Sequence, residues 1–259
     1  MAIQITTELI KELRDATGVS VMQCKRALEE AEGDMKKALA ILKKTSSDIA
    51  LKKTNREVKD GAVMVKSKGD KSVMVSLHCE TDFVARNDDF THLLSALTDI
   101  ALNEGVESMK SKAKEMIDPV IQKTGENIQL GETYEVKGSV VGNYVHNNKM
   151  AAMVSLEGGN SELAKDIAMH ITAMKPEYIS ESEIPDENKK TMNEVFQKEI
   201  ASMDKSEEIK KKMLEGKIAT YFKEKTLLEQ PFIKNPDETI AKLLEKNKAK
   251  IKEVKRYSI

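Results

Sequence analysis

The residues best suited to chemistry in this 259-residue chain are a thiol and an imidazole side by side, Cys79 and His78, followed by the carboxylates of Glu80 and Asp82. A thiol that an imidazole deprotonates is a nucleophile, the pairing used by catalytic cysteines. Strand alternation opposes that reading. Val73, Val75, Leu77 and Cys79 fall two apart, so His78 and Cys79 point to opposite faces, and Cys79 goes with the core. The remaining histidines, His92, His146 and His170, are scattered. No CxxC or HExxH spacing offers a metal site, no GxxxxGK[ST] marks a P-loop, and no G-x-G-x-x-G follows a strand. The acidic run CETDFVARNDD (79–89) lacks the donor spacing of a calcium loop. The sequence therefore predicts no cofactor, no metal and no enzymatic chemistry. What 79–89 does carry is Phe83 and Val84 inside a charged stretch, in a chain with only five phenylalanines.

Composition narrows the class of protein that must position this segment. Charged residues make up 33%, aromatics 4%, and there is no Trp, which favours a helix-rich protein with a large solvated surface. At this length more than one packed unit of about 100 to 150 residues is expected. Forty-two basic residues against forty-three acidic ones give a net charge of −1, so nothing advertises a nucleic-acid or membrane binder, and a protein partner fits better. Two cysteines and an N-terminus without a basic segment and a long apolar run point to the reducing cytoplasm. No stretch approaches 18 apolar residues, so no membrane span is expected.

The first 45 residues read as three short helices. Ile5, Leu9, Leu13 and Ala16 share a face, and Gly18 stands where a C-terminal cap belongs. Ser20 with Gln23 fits a capping box for a second helix with the stripe Val21, Cys24, Leu28 and Ala31. A third follows Asp34, with Met35, Ala38, Leu39 and Leu42 inward. Met22 lies roughly opposite the second helix's stripe, with Lys25 on its flank; together they suit a docking surface. Residues 46–60 read as a linker holding one helical turn. From Gly61 the period changes to two, and the alternating residues around KGDK signal a hairpin. A helix from about Asp88 to Asn103 carries Phe90, Leu93, Leu94, Leu97, Ile100 and Ala101 on one side, and another covers 106–124. Strands return over 128–157, then a helix at 161–175.

An internal echo appears in this middle region. MVSL occurs at 74–77 and again at 153–156, each closing a hairpin; DIA occurs at 99–101 and at 166–168, each inside the following helix. Strand, turn, strand and helix are used twice, as though one α+β unit had been duplicated. From Leu77 to Asp99 is 22 positions and from Leu156 to Asp166 is 10, so the first copy carries 12 extra residues, among them TDFVARNDD. A scaffold that joins the same elements by a shorter route elsewhere does not need this insertion to fold, which assigns it to function.

Beyond Asp186 the sequence is highly charged with sparse apolar positions, Met192, Phe196, Ile200 and Met203, then Leu214, Ile218 and Tyr221. Two antiparallel helices joined near 204–206 fit, a projecting coiled-coil-like hairpin. The end returns toward the body, its basic residues over 242–256 reading as a solvated helix face. The organisation is thus α+β: a three-helix module (1–45), a linker (46–60), two core repeats with antiparallel sheets (61–127 and 128–180), a helical hairpin (181–226) and a returning C-terminal segment (227–259). The hairpin or the core is a candidate for homodimer contact. A ubiquitin-type adapter is a rival reading of the three-helix module, but the loop TGVS lacks an exposed Met-Gly-aromatic.

Several long motifs in order resemble one family. LRDATGVSVMQCKRAL (13–28) followed by EAEGDMKKAL is similar to the N-terminal signature of the elongation factor Ts family, and CETDFVARN (79–87) to its second signature. IAMHITAMKPEY (167–178) and EQPFI (229–233) also match, so the resemblance spans nearly the whole chain. It implies a ubiquitin-associated-like module, a duplicated core and a helical hairpin. It implies, too, a guanine-nucleotide exchange factor that binds elongation factor Tu. On this resemblance Phe83, with Thr81, Asp82 and Val84, is the wedge that disturbs the partner's magnesium site so that GDP leaves. Val21, Met22 and Lys25 grip another helix of the same GTPase domain, and His170 matches a further contact position. The pattern departs at His78 and Glu80, where the family carries Asn and Gln. The resemblance also implies a Gly-containing helical tail, for which the residues up to KRYSI (255–259) have no counterpart.

Overall fold

A computed structural model describes residues 5–203 and 205–259. Asp204, in the expected turn of the helical hairpin, lies outside the described residues. The chain divides into two compact units, Met1–Glu135 with Val145–Ala151 and Tyr257–Ile259, and Val136–Tyr144 with Ala152–Arg256.

The first unit begins with three helices, α1 (Thr7–Thr17), α2 (Val21–Glu30) and α3 (Met35–Lys53). Each N-terminus is capped by the side chain its sequence supplies: Thr6, Ser20 and Asp34 accept from the backbone N–H two or three residues on. Leu13, Val19, Cys24, Ala27, Leu28, Ala31, Ala38 and Leu42 form the small core between them. Three residues assigned to apolar faces by periodicity are instead exposed, Ala16 near the end of α1 among them. Val21, the first residue of α2, is 47% exposed, and Leu39 is 40% exposed on the outer side of α3. The expected linker is another correction, because α3 runs unbroken to Lys53. Its buried stripe is Ala38, Leu42, Ser46 and Ala50, four apart, and a serine in the third place hides the helical period from the sequence. Ser46 satisfies its buried hydroxyl on the carbonyl of Lys43 at 2.7 Å. One helix therefore begins in the three-helix core and ends in the next, where Ile49 and Ala50 pack.

That next core is built on a hairpin, β1 (Asp60–Lys68) and β2 (Lys71–Cys79), paired antiparallel from Asp60 opposite Cys79 to Lys68 opposite Lys71. One helical turn, α4 (Asp82–Ala85), leads into α5 (Asp88–Glu104) and α6 (Val106–Thr124). Then β3 (Ile128–Lys137) joins the sheet beside β2, in the order β1-β2-β3. The apolar sides of α5 and α6 close over it around Phe90, Leu94, Leu97 and Met109, all fully buried. The sequence pattern assigns 128–137 to the second repeat. Hydrogen bonding to β2 moves most of that strand into the first.

The second unit repeats the design. A hairpin of β4 (Val140–His146) and β5 (Met150–Glu157) is followed by α7 (Ser161–Met174). Gly142 lets β4 lie directly against α7: a Cβ there would collide with the backbone of Ala164 and Lys165. Next come α8 (Asp186–Ala201) and α9 (Glu207–Lys225), packed on each other through Phe196 and Tyr221, with ring centroids 5.6 Å apart. The chain closes with β6 (Pro231–Phe232), β7 (Asn235–Thr239), α10 (Ile240–Lys246) and β8 (Lys250–Ser258). β8 completes a second three-stranded sheet, β4-β5-β8. The end of the basic segment 242–256 is thus strand, not helix, with Ile251 and Val254 packed against the second core. MVSL falls in β2 and in β5, fully or almost fully buried both times. Each copy's Ser, Ser76 and Ser155, donates to a backbone carbonyl, of Glu132 and Lys137, at 3.0 Å.

Candidate functional site

The two copies differ most where the first strand pair hands over to its helix. Three residues, 158–160, separate β5 from α7, while eight, 80–87, separate β2 from α5. The rest of the 12-residue difference lies mainly in α5, which starts further ahead of its DIA than α7 does. The extra connection is not irregular. Thr81 accepts from the Val84 N–H at 3.4 Å and so caps α4, and Asn87 accepts from the Asp89 N–H at 2.8 Å and caps α5. Val84 and Ala85 turn into the first core beside Cys79 and Phe90. Phe83, between them and the cap, turns outward and is 80% exposed. Asp82 is exposed as well and pairs with Arg86 one helical turn on at 3.1 Å. Of the four residues expected to act together, Thr81, Asp82 and Phe83 lie at the surface; Val84 is the anchor beneath them.

Cys79 and His78 separate as strand geometry requires. Cys79 is buried, its Sγ 3.1 Å from the carbonyl oxygen of Thr81. Burial first, then the nearby carboxylates of Glu126 and Asp60, push the thiol up to about 12. His78 turns the other way and meets the Tyr257 hydroxyl through Nε2 at 2.7 Å. Burial holds its pKa below the usual imidazole value.

In the three-helix module Val21 and Met22 form an exposed apolar pair, Met22 at 58%. Lys25, on the next turn of α2, reaches Glu29 at 3.7 Å across solvent. His170 is a different case. It lies on the buried side of α7 and is inaccessible. Gln230 donates its amide to the Glu224 carbonyl, so its Oε1 accepts from His170 Nε2 at 2.9 Å, while the Ile233 N–H donates to Nδ1 at 3.2 Å. With both nitrogens engaged and burial lowering its pKa, this imidazole is neutral and holds the segment 230–233; it does not present a ring for direct contact.

Two features of the loop escape sequence reasoning. The carboxylate of Glu126 receives both donors of Thr81: the backbone N–H at 3.0 Å on Oε2 and the hydroxyl at 2.7 Å on Oε1. In the opposite direction Glu80 Oε1 accepts from the Asn127 N–H at 2.7 Å. The partners are 45 and 47 residues apart, and no local pattern couples them. Two open grooves, of about 510 Å³ between α8 and α9 and about 540 Å³ along α3, α6 and β3, contain no His or Cys. Among the described residues no group of three or more His, Cys, Asp or Glu could hold a metal, and no helix is long and apolar enough to cross a membrane.

The fold and this loop define a class: an α+β protein of duplicated design that presents a lone aromatic outward on a braced helical turn. Residues 80–259 match the model of the family described as Elongation factor TS. Curated relatives named Elongation factor Ts include that of Hahella chejuensis, 40% identical over 98% of this chain and 92% of its own length. That of Thioalkalivibrio sulfidiphilus is 36% identical over 98% and 92%, and that of Arthrospira platensis 38% identical over 89% and 99%. The chain belongs to the elongation factor Ts family and is a translation elongation factor.

Proposed function

We propose that this protein is a guanine-nucleotide exchange factor for elongation factor Tu. It binds the GDP-bound GTPase in the cytoplasm, promotes GDP release without chemistry of its own and leaves the partner free to take up GTP. The observation that carries this reading is Phe83: a large aromatic held in solvent on a capped turn whose following residues are locked into the core. An exposed apolar side chain on rigid backbone loses little freedom on binding, which suits it to enter a partner. Thr81, Asp82, Phe83 and Val84 form the segment that disturbs the partner's magnesium site, Val84 acting from below as its foundation. Val21, Met22 and Lys25 hold the same GTPase domain at a second surface. His170 contributes to binding through the 230–233 segment that it fixes.

Exchange is a coupling of two equilibria, so the factor must prefer the nucleotide-free partner by the free energy it withdraws from GDP. A ten-thousandfold weakening needs about 5.5 kcal/mol of differential binding. The direct test is release of a fluorescent GDP analogue from purified elongation factor Tu. Release that accelerates with added protein and saturates supports the reading; a rate identical with and without the protein refutes it.

A further inference from the structure

An aromatic that is 80% exposed receives almost no packing from its own chain, so its direction is set by the backbone that carries it. Here that backbone is a helix of four residues, far shorter than one that holds itself together in water. The cap at Thr81 must itself be held. An ionised carboxylate only accepts, so the Thr81 hydroxyl donates to Glu126 Oε1, and its lone pairs are thereby turned toward the Val84 N–H. The second oxygen of Glu126 takes the Thr81 backbone N–H. A single carboxylate thus fixes Thr81 at two points and passes the constraint to Val84, and Phe83 lies between the two residues. The reciprocal bond from Asn127 N–H to Glu80 prevents the two segments from sliding past each other. Asn127 is in turn held by its side-chain amide on the carbonyls of Arg56 at 2.8 Å and Thr54 at 3.4 Å, just beyond the end of α3.

We infer that Glu126, outside the loop that meets the partner, is a positioning residue for nucleotide exchange: by clamping Thr81 it presents Phe83 in the geometry that enters the GTPase. The inference rests on the exchange reading above. Without the clamp the turn samples many directions, and ordering it on the partner draws on the same binding free energy that otherwise displaces GDP.

The test uses the full chain with Glu126→Ala and Glu126→Gln. In the free protein, Glu126→Ala should raise amide hydrogen exchange at Thr81 and Val84 roughly tenfold or more, through the loss of both bonds to a partly buried carboxylate, while the amides of the β1–β2 ladder keep their protection. With elongation factor Tu, the maximal rate of GDP release at saturating factor should fall roughly tenfold, with a smaller change in the half-saturating concentration. Glu126→Gln, which keeps one carbonyl acceptor, should recover part of both. Thr81→Val added to Glu126→Ala should cost less than the two single changes summed, because both remove the bond between the Thr81 hydroxyl and Glu126. Unchanged amide exchange at 81–84, or an unchanged maximal rate, overturns the inference. So does loss of protection spread over the whole sheet, which would make Glu126 a general structural residue, or an effect on half-saturation alone, which would make it a contact. If Glu126→Ala does not fold, Glu126→Gln is read by the same criteria. Wild-type protein that fails to accelerate release refutes the exchange reading instead, and the amide measurement still decides whether the clamp exists.

Discussion

Replacing Phe83 with Ala removes the proposed wedge and almost nothing else. The side chain is 80% exposed, so its loss opens no cavity in the first core, and the free protein should unfold within about 0.5 kcal/mol of wild type. Against the partner the expectation is different. Burying a whole Phe contributes about 1.5–3 kcal/mol; four fifths of it remains to be buried, giving about 1.2–2.4 kcal/mol. If that energy is realised in the nucleotide-free complex, exchange slows by about eightfold to sixtyfold. This is less than half of the roughly 5.5 kcal/mol that a ten-thousandfold weakening demands, so the mutant should stay well above the uncatalysed rate. Stopped-flow release of a fluorescent GDP analogue at saturating factor measures it, and Phe83→Leu, which keeps much of the apolar mass, should fall between. Equal rates for Phe83→Ala and wild type would refute the wedge. Release at the uncatalysed rate with complex formation intact would refute the distributed account, because one residue would then carry everything.

Three further outcomes are expected. Lys25→Ala should weaken assembly with elongation factor Tu about threefold to tenfold, chiefly through slower association, with thermal stability unchanged because an exposed pair at 3.7 Å contributes little; an unaltered dissociation constant would exclude Lys25 from the interface. The buried Cys79 thiol, pushed up to about 12, stays neutral and shielded at pH 8, so iodoacetamide should leave native exchange activity intact; rapid native alkylation with loss of exchange would restore the nucleophile reading. His170 has a folded-state pKa below its unfolded value, so the unfolded chain binds the extra proton and stability falls as pH drops below about 6.5. His170→Gln should flatten that part of the slope and cost about 1–3 kcal/mol at pH 7.5 in lost hydrogen bonds, which urea unfolding across pH 5–8 can read; identical slopes would show that His170 does not titrate there.

Much of the fold is legible wherever contacts are local and periodic. The caps at Ser20 and Asp34, the hairpin register around Gly69–Asp70 and the buried side of α5 follow from spacing alone. The echo of MVSL and DIA revealed that one unit is used twice, and the longer connection in the first copy pointed to Phe83. Errors gathered where long-range pairing decides. β3 belongs with β2 and β8 with β5, and no local pattern states the partner of a strand that arrives 49 or more residues later. Ser46 breaks the apolar period of α3 although it sits in the buried stripe, so the sequence pattern reads as a linker where the chain is helical.

The candidate site divides along the same line. The sequence by itself determined that an aromatic stands in a charged, inserted connection and that an apolar pair with a lysine opens α2, because composition and helical spacing are local properties. Only the tertiary structure decided which of those side chains face outward. Val84 points into the core while Phe83 does not, and His170 is enclosed by a segment 60 residues further on. It alone revealed Glu126, whose carboxylate meets Thr81 because α5 and α6 fold back over the sheet and bring residue 126 to residue 81. Spacing records which side of its own element a residue occupies; what that side meets is fixed by how distant elements pack.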